Sequence, residues 1–101
     1  MTNWGNYGIS AVKYNSKGTH IDQVQIHQNI NGGVGNVEYW LRERVVSALK
    51  NNYVVITLPR NSEGGLTIGA QVIIDRINGI EYIKTVRDNT THDNLGNLPR
   101  F

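Results

Sequence analysis

The sequence predicts a small α+β domain: a curled, mostly antiparallel five-stranded sheet with one helix against it, in the order β-β-α-β-β-β, and an extended C-terminal tail. Three observations carry that prediction. Short runs rich in β-branched residues recur between turns rich in Asn and Gly. One stretch, 36–51, places apolar residues at three- and four-residue spacing. The dipeptide Asn78-Gly79 lies between two apolar runs, a strong short-range hairpin signal. At 101 residues the chain sits near the modal domain size, so a single domain, 1–101, with one core is expected.

The elements follow in order. YGISAVKY (7–14) alternates as a strand does, and Asn15-Ser16-Lys17-Gly18 is a polar turn ending in glycine. THIDQVQIHQ (19–28) returns from it. Ile21 is out of phase with Val24 and Ile26, so a bulge near Asp22 or Gln23 is predicted. Asn36 is placed to cap a helix, because its side chain accepts from an otherwise orphan amide. Val37, Trp40, Leu41, Val45, Ala48 and Leu49 then form one apolar stripe, Glu38 and Arg42 an i,i+4 pair, and Asn51 or Asn52 a left-handed terminus.

YVVITLP (53–59) reads as a central strand and Asn61 to Gly65 as a turn. LTIGAQVIIDRI (66–77) reads as a long strand, and IEYIKTV (80–86) as its hairpin partner. One helix cannot shield Val55, Ile73, Ile83 and the terminal aromatics together, so a homo-oligomer is expected.

Composition excludes several chemistries. Without cysteine there is no disulfide framework, thiolate-bound zinc, iron–sulfur cluster or cysteine nucleophile. No run approaches the roughly 20 apolar residues of a bilayer span, and MTNWGNYG lacks the basic and apolar regions of a secretory signal. A cytoplasmic protein is the expectation. The formal charge is only +2, with the basic residues spread from Lys13 to Arg100 rather than clustered as nucleic-acid binders cluster them.

The C-terminal third carries a recognisable pattern. Asn78-Gly79, Tyr82-Ile83, Thr85 and Asp88, then Asp93-Asn94-Leu95 and Leu98-Pro99, resemble a family of small bacterial proteins catalogued as domain of unknown function 3892. The remainder agrees more loosely, through ISAVKY, a helix and a strand. The family often closes with a cysteine shortly after the Leu-Pro pair, where this chain has Arg100-Phe101. The resemblance implies a shared fold and brings no activity with it. Read from the residues alone, Leu95 and Leu98 plug an open edge of the core, while Asp93 and Asn94 bond backbone amides.

The candidate ligand site is NINGGVGNVEYW (29–40). Gly33-Val34-Gly35 between an expected strand and an expected helix is a context for anion binding, since free amides and the dipole favour phosphate at a helix N-terminus. The dinucleotide fingerprint is incomplete, with Glu38 in place of its third glycine, and no Gly-Lys-Ser/Thr is present. A simple β-to-α connection is the competing reading.

Gly33, Gly35, Asn36, Tyr39, Arg42 and Arg44 would together supply amides, a stacking surface and countercharge for a phosphorylated, nucleotide-type small molecule. Arg87, His92, Asp93 and Asn94 form a possible second cluster. His20, His27 and His92 lack metal-ligand spacing, and no serine lies in a nucleophile-elbow context, so no metal, cofactor or catalytic residue is assigned. The expected function is a non-enzymatic binding module that sequesters such a ligand. A protein–protein adaptor working through an exposed strand edge or the tail is the alternative. Single-stranded nucleic-acid binding through tyrosines and scattered cations comes third.

Overall fold

A hairpin opens the chain. In the computed structural model, which describes residues 4–86, 91–96 and 98–101, β1 (Tyr7–Tyr14) pairs antiparallel with β2 (Ile21–Ile30) across the expected turn, where Gly18 takes φ +70°. Lys13 faces Gln23 and Tyr14 faces Ile21, so Asp22 is the extra residue of the predicted bulge. A second bulge, at Ser10, separates the Ile9–Ile26 pair from the Ala11–Gln25 pair.

The next element corrects the sequence reading. Asn31 and Gly32 take φ +53° and +86°, a two-residue turn, and the chain returns as β3 (Gly33–Leu41) beside β2. The expected helix therefore loses its first turns. It forms as α1 (Arg42–Lys50), entered from extended Leu41 without a side-chain cap, and Asn36 caps nothing. The physical reason lies in the turn. Asn31-Gly32 is the same hairpin signal as Asn78-Gly79, and Val34, Val37, Tyr39 and Trp40 are as favourable in a strand as in a helix. Of the early stripe only Trp40 is buried, while Val37 and Leu41 face outward. Asn52, at φ +67°, ends the helix in the expected conformation, with its amide bonded to the Leu49 carbonyl.

β4 (Val55–Thr57) lies parallel to β1, completing a four-stranded mixed sheet in the order β3-β2-β1-β4. Residues 66–72 do not form a long strand; they run against β4, with Thr57 bonded to Ala70 and Val55 to Val72. That approach is close enough that a Cβ on Gly69 would collide with Thr57. β5 (Ile73–Ile77) and β6 (Ile80–Lys84) make a separate two-stranded sheet around Asn78-Gly79, at φ +53° and +80°. Among the described residues the expected single five-stranded sheet is thus two sheets, with six strands in the order β-β-β-α-β-β-β.

One face of the four-stranded sheet holds the main core. Ile9, Val12, Val24, Ile26, Trp40 and Val55 meet Val45 and Ala48 of α1, Ile83 of β6, and Leu95 and Leu98 of the tail. The tail also bonds to β1 through the Val12 amide and the Pro99 carbonyl. Val55 and Ile83, expected to need a second subunit, are covered within one chain. On the opposite face Trp4, Ile56 and Leu58 pack with Leu66 over the β1–β4 half. Gly8 lies beneath them, and a side chain there would collide with Leu58. No helix among the described residues is long and apolar enough to cross a membrane.

Candidate functional site

The glycine stretch is a turn and a bulge. The Gly32 amide is bonded to Asn29 Oδ1 at 2.7 Å, and its carbonyl accepts from Trp4 Nε1 at 3.0 Å. Gly35 sits where β3 departs from regular pairing, and a Cβ there would lie 2.9 Å from the Gln28 carbonyl oxygen. Close backbone approach explains that glycine without a ligand. Gly33 and Gly35 begin β3, Asn36 and Tyr39 follow on it, and Arg42 and Arg44 lie beyond its far end. At ~3.3 Å per residue, eight steps of strand separate Gly33 from Leu41 by roughly 26 Å. The structure does not bring the six residues together around one phosphate.

The arginines have other partners. Asp93, fully buried, accepts four hydrogen bonds: from the Ile21 and Ile83 amides and Arg42 Nε, each at 2.8 Å, and from Arg42 Nη2 at 3.0 Å. Arg42 Nη2 also donates to the Glu81 carbonyl. One carboxylate thereby joins β2, β6, α1 and the tail. The hydrogen bond that Arg42 donates to Asp93 raises the Arg42 pKa above its ordinary value, against the opposing effect of burial. Arg42 is a structural cation, and its expected pairing with Glu38 does not form.

The Arg44 guanidinium lies 4.1 Å from the centroid of the Trp40 ring. Of the second cluster, Asp93 serves this hub, Asn94 Oδ1 accepts from the Gly96 amide in a local turn, His92 is half-buried, and Arg87 lies outside the described residues.

One constellation escaped the sequence reading. His27 Nε2 lies 2.8 Å from Ser10 Oγ, and its Nδ1 lies 3.0 Å from the Gly35 carbonyl oxygen. A carbonyl only accepts, so Nδ1 carries a hydrogen, and in the neutral ring Nε2 is then the acceptor of the serine hydroxyl. The pattern resembles a nucleophile with its base, yet Ser10 is only 2% exposed, so no substrate reaches its hydroxyl. The arrangement ties the β3 bulge to β1. A spacing of 17 residues across a bulged hairpin gave no sequence signal for it.

A cleft of about 370 Å³ lies where β3 meets α1, lined by Lys13, Ile21, Asp22, Gln23, Leu41, Arg42 and Glu43. Its two cations and two carboxylates balance, which favours neither an anion nor a metal. No cluster of three or more metal-ligating side chains occurs among the described residues.

The unsatisfied surface is β3 itself. It is the outermost strand of its sheet, and among the described residues no strand pairs with its outer edge. Val37, Tyr39 and Leu41 alternate with inward-facing Trp40 and are 45%, 58% and 57% exposed. The Phe101 ring, from the tail, meets Tyr39 edge-on at 5.6 Å. Natural edge strands are blunted by proline, lysine, shortness or a bulge, and the bulge of β3, at Gly35, comes before the stretch 37–41. β3 is nine residues long, contains neither proline nor lysine, and carries one charge, Glu38.

The chain belongs to the family described as "Protein of unknown function (DUF3892)", which matches residues 8–99. No curated protein and no solved structure matches it.

Proposed function

We propose that this member of a family without an assigned activity is a non-enzymatic protein-interaction module that binds a partner by strand addition to β3. The carrying observation is the unpaired edge of that nine-residue strand, with Val37, Tyr39 and Leu41 exposed along one face. Outward-pointing amides and carbonyls would supply affinity, and a partner's alternate side chains would rest on the apolar row. Phe101 lengthens that row beside Tyr39.

Selection of displayed peptides against the immobilised protein tests this reading. Binders should carry apolar residues at i, i+2 and i+4, shift the NMR signals of residues 33–41, and be lost with Tyr39→Lys. Peptides that bind the Tyr39→Lys protein equally well would overturn it.

A nucleotide-type ligand has one supporting observation, the exposed aromatic pair Tyr39 and Phe101, on which a base could stack. A rise in Tm with millimolar nucleotides, absent in Tyr39→Ala, would favour that reading.

A further inference from the structure

We infer that the strand β3 accepts is β3 of a second copy, antiparallel across a two-fold axis at Tyr39, joining two four-stranded sheets into one. The inference deepens the proposed function and rests on it. Three features of the strand select both partner and register.

The first is apolar matching. With Tyr39 on the axis, Val37 faces Leu41 of the second copy, Tyr39 faces Tyr39, and Leu41 faces Val37. All six side chains lie on the same exposed face.

The second is charge. In this register Glu38 stands opposite Trp40 of the second copy, and Arg44 covers that ring at 4.1 Å. Glu38, whose Oε1 accepts from Trp40 Nε1 of its own chain at 3.2 Å, therefore also comes within reach of Arg44 of the other, twice by symmetry. Neighbouring registers fail. An axis at Glu38 sets the two carboxylates directly opposite, which is destabilising. An axis at Val37 sets Tyr39 and Leu41 against Gly35 and Gly33. An axis at Trp40 needs Arg42, which is helical and held by Asp93, to act as a strand residue.

The third is closure. β4, at the other end of the sheet, is already bonded along its outer side by residues 69–72. Self-pairing through β3 uses the same edge of both copies, so it is isologous and stops at two copies instead of growing a filament.

Sedimentation or light scattering of the full chain tests the inference. The wild type should give twice 11.3 kDa at tens of micromolar. Tyr39→Lys, at an exposed position, should give 11.3 kDa with an unchanged circular-dichroism spectrum. Glu38→Arg alone and Arg44→Glu alone should each weaken dimerisation by at least about tenfold, because each places like charges together at two sites. Mixing these two variants should restore a dimer, since only the mixed pair sets opposite charges together at both sites. A wild type that stays at 11.3 kDa at several hundred micromolar overturns the inference, as does a mixture no tighter than its components. If the wild type is monomeric yet displayed peptides still bind β3, this inference fails and the proposed function stands.

Discussion

Replacing Asp93 with Asn changes one atom of the side chain and should cost a large fraction of the stability. The carboxylate accepts from four donors through two oxygens, and none of its surface is exposed. An amide keeps one acceptor oxygen and turns a donor toward two of those four groups. Arg42, with only 19% of its side chain exposed, then lacks its counterion. Removing one partner of such a pair costs about 3–5 kcal/mol, against a total of ~5–15 kcal/mol for an ordinary domain. At ~4–8 °C per kcal/mol the Tm should fall by at least about 12 °C. Urea titration followed by tryptophan fluorescence measures the loss directly. Adding Arg42→Met should recover part of it, because the stranded charge goes while one of the Ile21 and Ile83 amides stays unsatisfied. An Asp93→Asn protein within ~1 kcal/mol of wild type would refute the reasoning, since the site would then be open enough for water to substitute.

Other parts of the fold make separate forecasts. Leu95→Ala, at a tail residue 2% exposed within the core, should cost ~2–5 kcal/mol in urea; a negligible change would mean that the tail only decorates the core. Gly69→Ala should cost ~1–3 kcal/mol through collision with Thr57, whereas Gly65→Ala, where a Cβ comes no closer than 3.4 Å to Asn61, should stay within about 0.5 kcal/mol. Burial, more than the nearby Asp93, raises the Tyr14 phenol pKa above 10.0, and Arg100 opposes the rise. A raised folded-state value means that this contribution is complete below the unfolded value and is lost as pH rises through the folded one. The urea midpoint should therefore fall in that alkaline range, and Tyr14→Phe should fall less.

What the sequence showed depended on how local the signal was. The Asn15–Gly18 turn, the Asp22 bulge, the Asn78-Gly79 hairpin and the Asn52 helix end each need only a few neighbouring residues, and each appears where it was read. The tail's role was also legible, since Leu95 and Leu98 had to be buried somewhere and Asp93 had to find donors. The main error came from the stripe 37–49. Val37, Trp40 and Leu41 fit a helical spacing, but Asn31-Gly32 had already turned the chain back onto β2. Strand pairing with β2 outweighed a helix start that would have left Asn36 as its only cap. The Asp93–Arg42 pair and the Ser10–His27 contact span 51 and 17 residues, distances over which one sequence carries no pairing signal. Moving the helix start by six residues, from 36 to 42, turned an expected anion site into an open edge.

Backbone hydrogen exchange of residues 34–41, followed across protein concentration, reads the state of that edge. At high dilution the outward-pointing amides of β3 should exchange as solvent-exposed groups while those facing β2 remain protected. Raising the concentration, or adding a selected peptide, should slow the outward set alone. Outward amides protected at every dilution would mean that the edge is already satisfied within the chain. Outward amides unprotected at every concentration, with and without peptide, would mean that β3 takes no partner strand.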